Sequence, residues 1–224
     1  MQVAIFGASG MVGQGVLREC LRDAGVQRVL AVGRSPLGRS PTEEGHAKLA
    51  EIVVPDLLDL SPAEAALAGC DACFFCLGVS STGLDEARYT ALTFDLTLSV
   101  ARTLARLRPG MAFTYVSGAG TDSSERGRVM WARVKGRTEN ALLALPLAAT
   151  MFRPGIIVPM HGERSKTPQY QAFYSALGGL LRLVRPVLPG SLVTTTEQMG
   201  RAMLAAARGQ AGKRVLESAD IDRL

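Results

Sequence analysis

Short apolar runs alternate with longer amphipathic stretches along nearly the whole chain, and that alternation leaves few architectures open. Val3–Phe6, Val29–Val32, Glu51–Val54, Ala72–Cys76, Ala112–Ser117 and Ala149–Phe152 read as strands, with a late one at Arg214–Glu217. Helices are expected to begin at Met11, Ser61, Leu84, Asp122, Pro168 and Thr196. Ser61-Pro62-Ala63-Glu64 has the form of a capping box with proline at the first helical position, and Thr194-Thr195-Thr196-Glu197 marks another helix start. Strand and helix in turn predict an α/β fold. It is one doubly wound domain over residues 1–224, a mostly parallel sheet flanked by helices.

Two stretches break the rhythm. Ser35–Lys48, rich in proline, glycine and charge, is expected to be a loop. Residues 159–193 form a tail segment. His161–Gln169 is polar, whereas Tyr170–Leu188 is apolar and carries Arg182 and Arg185. The apolar part suits a cover over the substrate side of the sheet, and equally a core helix or a homodimer interface.

With 224 residues the chain can bury one substantial core, and 47% hydrophobic against 20% charged residues is a globular balance. Charges interrupt every apolar run within a dozen residues, so no membrane span is expected. Met1–Phe6 has no basic leader and reads as a first strand, which points to a cytoplasmic protein. The net charge of +5 comes with 21 Arg against 4 Lys. These cations are scattered singly along the expected helices, so nucleic acid is not an expected partner.

Among four cysteines, Cys70, Cys73 and Cys76 have metal-like spacing. On a strand, however, Cys73 faces opposite to Cys70 and Cys76, and three thiolates cannot converge on one ion. Neither His46 nor His161 lies in a ligand-spaced cluster, so no metal site is expected.

The chemistry is concentrated after the first strand, in Gly7-Ala8-Ser9-Gly10-Met11-Val12-Gly13, which opens a helix. Gly7 permits a tight turn, Gly10 lets a pyrophosphate approach the backbone, and Gly13 lets the helix pack close to the strand. The N–H groups and positive dipole end of that helix then suit phosphate, and the whole predicts a nicotinamide dinucleotide site of Rossmann type. The second strand ends Ala31-Val32-Gly33-Arg34-Ser35 without a carboxylate for a ribose 2′-hydroxyl. Arg34 can instead pair with a 2′-phosphate and Ser35 can donate to it, which favours NADP(H) over NAD(H). Asp56 and Leu57 follow the third strand, where the adenine is met, and Cys76-Leu77-Gly78 follow the fourth, where the chain passes a ribose. Asp56 serves equally well to cap the loop into Ser61.

With these pieces in order, the sequence resembles the atypical short-chain dehydrogenase/reductases. Within them it is most similar to the Tat-interacting-protein-like oxidoreductases and their small bacterial epimerase-like relatives. The matching stretches are Gly7–Gly13, Phe74–Gly78, Tyr115-Val116-Ser117 with Gly118-Ala119-Gly120, Val134-Lys135-Gly136, and Phe152-Arg153-Pro154-Gly155. The resemblance implies that Ser117 orients a substrate carbonyl or hydroxyl, that Lys135 holds the nicotinamide ribose, and that Pro154 and Gly155 lie near the nicotinamide. It also implies a catalytic tyrosine four residues before the lysine, and that position is Trp131. A phenol can give or take a proton, whereas an indole N–H only donates a hydrogen bond.

Two functions follow from that departure. One is an NADP(H)-dependent oxidoreductase acting on a small-molecule carbonyl or hydroxyl with a relocated proton donor. The other is a non-catalytic NADP(H)-binding redox sensor or interaction protein in which Trp131 fills the site. Nothing in the sequence places Tyr89, Tyr115, Tyr170 or Tyr174 in the missing role, and Tyr115 reads as core.

Overall fold

The computed structural model describes residues 1–38, 45–163 and 193–224. Within them β1 (Gln2–Phe6), β2 (Arg28–Gly33), β3 (Leu49–Val53), β4 (Ala72–Phe75), β5 (Ala112–Val116), β6 (Ala148–Arg153) and β9 (Val215–Glu217) form one sheet. Its order is β3-β2-β1-β4-β5-β6-β9, and every pairing is parallel. Two further strands, β7 (Ile156–Val158) and β8 (Val193–Thr195), pair in parallel with each other. The expected doubly wound Rossmann architecture is the one observed.

Parallel strands need crossovers, and helices supply them on both faces. Alternation along each strand therefore feeds two cores. Ala4, Phe6, Cys73, Phe75, Phe113 and Tyr115 pack against α4 (Leu96–Leu107) and α5 (Met130–Leu143). Val3, Ile5, Val29, Phe74 and Phe152 pack against α1 (Met11–Arg22) and α6 (Thr196–Ala207). Phe6, Phe75 and Phe113 run in a row across three strands, with ring centroids 5.9 and 6.0 Å apart. Helices α1 and α6 meet backbone to side chain: a Cβ on Gly15 would lie 2.5 Å from Thr196 Cβ, and one on Gly200 2.7 Å from Glu19 Cγ. The strand order reverses between β1 and β4, and that switch point opens a crevice at the carboxyl ends of the strands.

Several boundaries differ from expectation for local reasons. Ser61 does not cap a helix; it heads a 3-10 turn, Ser61–Ala63, and its N–H donates to Asp59 Oδ1 at 3.0 Å. The short α2 (Glu64–Leu67) follows. The helix expected at Leu84 begins two residues later as α3 (Glu86–Thr90), where Asp85 Oδ1 accepts the Arg88 N–H at 2.8 Å. A π turn, Ala91–Asp95, then leads into α4. Asp122 starts no helix. Its carboxylate closes a turn by accepting the N–H groups of Ser124 and Gly127, and α5 begins only at Met130. At Thr195 the capping box with Gln198 does form, and α6 starts as expected. The short α7 (Ser218–Ile221) closes the chain. The start expected at Pro168, and most of the 159–193 segment, lie outside the described residues.

The cysteine geometry needs one correction. Cys70 precedes β4 rather than lying on it, and it packs in the same core as Cys73, while Cys76 packs against the other. All four cysteines are unpaired thiols. Among the described residues no group of three or more His, Cys, Asp or Glu is placed to hold a metal ion.

Candidate dinucleotide site

The crevice is a cleft of about 860 Å³. Its floor is the turn between β1 and α1, from Gly7 through Val12. Gly7 adopts φ +85°, and a Cβ there would sit 2.8 Å from the backbone of Cys76 and Leu77, so glycine lets the end of β4 pass alongside. A Cβ on Gly13 would lie 2.0 Å from the Gly7 carbonyl oxygen. Gly10 is different. It is the N-cap of α1, with extended backbone, and a Cβ there would come no nearer than 3.4 Å to protein. No side chain caps α1 and no acid occupies its first turn, so a positive helix end is presented to the cleft. Bare backbone, a permitted close approach and a free dipole are what a pyrophosphate requires, and the chain fits that group.

At one end of the cleft stand Gly33, Arg34 and Ser35, with Arg34 and Ser35 exposed. Among the described residues Arg34 has no carboxylate partner. Sequence reasoning missed one neighbour: Glu51 on β3, beside Ala31 in the register, also lines this end. Its Oε2 accepts the Leu37 N–H at 2.8 Å, which ties the carboxylate to the loop after β2. Asp56 and buried Leu57 are on the wall, and Asp56 Oδ1 also accepts the Leu58 N–H at 2.9 Å. Cys76, Leu77 and Gly78 complete that side, and burial pushes the Cys76 thiol up to about 12.

Towards β5 the wall is formed by Val116 and Lys135. Lys135 projects from α5 and its ammonium donates to the Ser117 carbonyl oxygen. Burial brings its pKa down to about 8, while the Glu139 carboxylate acts in the opposite direction. The rest of the expected catalytic set is arranged otherwise. Ser117 is buried, its hydroxyl donating to Glu139 Oε1 at 2.5 Å with the Phe152 carbonyl oxygen 3.1 Å away, so it points into protein rather than along the cleft wall. Trp131 sits one helical turn before Lys135, half-buried, with its ring near Gly120: a Cβ on that glycine would meet Trp131 Cη2 at 3.6 Å. Pro154 and Gly155 are not on the wall; the Pro154 carbonyl accepts the Ala119 N–H at 2.8 Å and the Gly155 N–H donates to Ser218 Oγ at 2.7 Å.

No described tyrosine takes the missing place. Tyr89 and Tyr115 are each 1% exposed, and burial drives the Tyr115 phenol far above its ordinary range. Tyr170 and Tyr174 lie outside the described residues. The residue the sequence did not single out is Glu139, 1% exposed and paired with Arg153. Its signal was a charge spaced to share the α5 face of Ala132, Gly136 and Leu142.

Among the described residues no helix is long and apolar enough to cross a membrane. Comparison with known proteins agrees with the geometry. Residues 7–168 match the family model described as NAD(P)H-binding. Mitochondrial protein fmp52 of Emericella nidulans is 27% identical over 91% of this chain and 86% of its own length. Rat protein HTATIP2 is 29% identical over 70% of this chain and 62% of its own. Among solved structures, a short-chain dehydrogenase/reductase family oxidoreductase from Burkholderia thailandensis superposes with a TM-score of 0.67 at 17% identity, covering 98% of this chain and 92% of that one. The enzyme WbmH of Bordetella bronchiseptica, in complex with NAD+, gives 0.65 at 16% identity over 93% and 72%. The chain therefore belongs to the NAD(P)H-binding family, with the fold of the short-chain dehydrogenase/reductase family oxidoreductase it superposes on.

Proposed function

We propose that the cleft takes NADP(H) in preference to NAD(H), and that the protein is an oxidoreductase of a small carbonyl or alcohol in which Lys135 handles the proton. The cofactor supplies or accepts the hydride when bound. Arg34 supports the preference: it is a cation at the end of β2 without a carboxylate partner among the described residues, while the nearby Glu51 is engaged by Leu37. Ser35 adds a hydroxyl beside it.

The observation that carries the chemical part is Lys135. It is an ionisable group on the cleft wall at the β5 end, with a pKa brought to about 8, close to the range in which general acids work best. In carbonyl reduction its ammonium would give the substrate oxygen one proton, and in alcohol oxidation its amine would take one back. Unpaired thiols on all four cysteines suit a reducing compartment, and the proposed setting is the cytoplasm.

A second reading has its own support. The Ser117 hydroxyl is committed to Glu139 and Trp131 occupies the tyrosine position, so a dinucleotide site with no turnover would serve as a redox sensor or interaction module. Mass spectrometry for dinucleotide retained by the purified protein, then fluorescence titration with NADPH and NADH, tests the cofactor. NADPH oxidation against panels of small carbonyls and quinones separates the two readings. Tight NADPH binding with no turnover on any panel favours the second, and stronger binding of NADH than of NADPH overturns the cofactor preference.

A further inference from the structure

A carboxylate as buried as Glu139 needs a cation and donors for its oxygens. Arg153, at the end of β6 and 13% exposed, supplies the charge. Its Nε lies 3.1 and 3.2 Å from the two Glu139 oxygens, and a terminal nitrogen is bonded to Oε2. The same nitrogen also donates to Ser123 Oγ, and the other terminal nitrogen lies 3.4 Å from Glu217 Oε1. Among the described residues the remaining donor to Glu139 is the Ser117 hydroxyl.

Ser117 is thus gripped twice, through its hydroxyl by Glu139 and through its N–H by the Phe152 carbonyl at 2.8 Å. Those two bonds anchor the N–H and the side chain of Ser117, and its carbonyl oxygen, in the peptide that follows, receives the Lys135 ammonium. Glu139 is on the same helix as Lys135, four residues on, and is the charged group that acts on it. From β6, Arg153 is bound to Glu139 and neutralises it. An ammonium has three donors, so one bond to the Ser117 carbonyl leaves two for the cleft.

We propose that Ser117, Glu139 and Arg153 form a buried positioning unit that aims the Lys135 ammonium into the cleft. What the ammonium meets there rests on the NADP(H) reading; the unit itself is a property of the folded chain. None of the three is a catalytic residue, since none is placed to touch the ligand.

The test is acetic anhydride labelling of the folded, dinucleotide-free protein at pH values bracketing 8, with peptide mass spectrometry and exposed Lys213 as the internal reference. Ser117→Ala leaves the ion pair in place and should raise the Lys135 rate relative to Lys213 several-fold, with its pH midpoint unmoved. Glu139→Gln removes the negative charge and should move the Lys135 midpoint to lower pH by about half a unit or more. Should Glu139→Gln fail to fold, Ser117→Ala still decides. A purely structural role would lower the melting temperature of both variants and leave the relative rate and midpoint of Lys135 unchanged, and that result overturns the proposal. Adding NADPH to wild type separates the two ideas. Absence of protection at Lys135, with the variant effects intact, rejects the dinucleotide reading and upholds the positioning unit.

Discussion

Gly13 and Gly7 are packed so closely that a methyl group on Gly13 would lie 2.0 Å from the Gly7 carbonyl oxygen, against 3.4 Å for one on Gly10. The two glycines of one turn therefore have different duties. Gly13→Ala must displace backbone, not a yielding side chain, and should destabilise by about 1–3 kcal/mol or more. Gly10→Ala meets only an ordinary contact with the Gly7 carbonyl oxygen, so apart from about 1 kcal/mol or less of lost N-cap preference it should spare stability. Its methyl would stand where phosphate approaches, and NADPH affinity should fall at least tenfold. Denaturant unfolding beside an NADPH titration checks both; equal loss of stability in the two variants would contradict the division.

Arg34 and Glu51 flank the end of β2 with opposite charges. Arg34→Asp removes the cation and adds a second carboxylate, while Glu51 stays on the Leu37 N–H. Charge-assisted hydrogen bonds contribute about 1.5–3 kcal/mol, so NADPH should bind roughly ten- to a hundredfold more weakly. NADH, lacking the 2′-phosphate, should bind as before or better. Parallel titrations with the two dinucleotides measure the ratio, and an unchanged ratio would show that Arg34 does not read the phosphate.

The five central strands were legible because a strand buried on both faces has little choice but to be apolar, and the glycine turn announced itself by its place after the first strand of the chain. What could not be read came from side chains reaching across the sequence. Asp122 looked like a helix start, yet its carboxylate folds back on Ser124 and Gly127, and a Cβ on Gly136 would lie 1.8 Å from its carbonyl oxygen. For Ser117 the family resemblance implied a substrate-facing hydroxyl. Glu139 and Arg153, 22 and 14 positions from their partners, turn it inward. Spacing reveals which residues share a helix face; it does not reveal which buried charge will claim a hydroxyl.

Burial holds Lys135 at about 8, below the ordinary 10.5. Between those values the unfolded chain keeps a proton that the folded chain has released, so this group makes the dinucleotide-free protein more stable as pH rises from about 8 towards 10.5. Binding runs the other way, because a phosphate or ribose partner needs the charged ammonium. NADPH affinity should therefore fall as pH rises through about 8. Lys135→Met should abolish both trends, with melting curves and titrations taken across that range. A wild-type affinity flat through pH 8 would remove Lys135 from the site.

Trp131 and Lys135 stand one helical turn apart on α5, and the indole lies beside Gly120 without forming a wall of the cleft. Dinucleotide affinity should then depend on Lys135 and little on the ring, so Trp131→Phe should leave it nearly unchanged while Lys135→Ala lowers it. Trp131→Tyr is the more informative change. It supplies a phenol beside an ammonium whose positive charge favours the phenolate, and general acid catalysis is typically worth about 10²–10⁴ in rate. The Ser117 hydroxyl is already spent on Glu139, so the tyrosine would act without the usual serine and the lower part of that range is expected. Carbonyl reduction by Trp131→Tyr, followed through NADPH oxidation, should rise about a hundredfold over wild type, or become measurable where wild type shows none. The further change Lys135→Ala should cancel the gain. A tyrosine variant that binds NADPH normally and reduces nothing faster than wild type would show that position 131 does not face the reacting atoms.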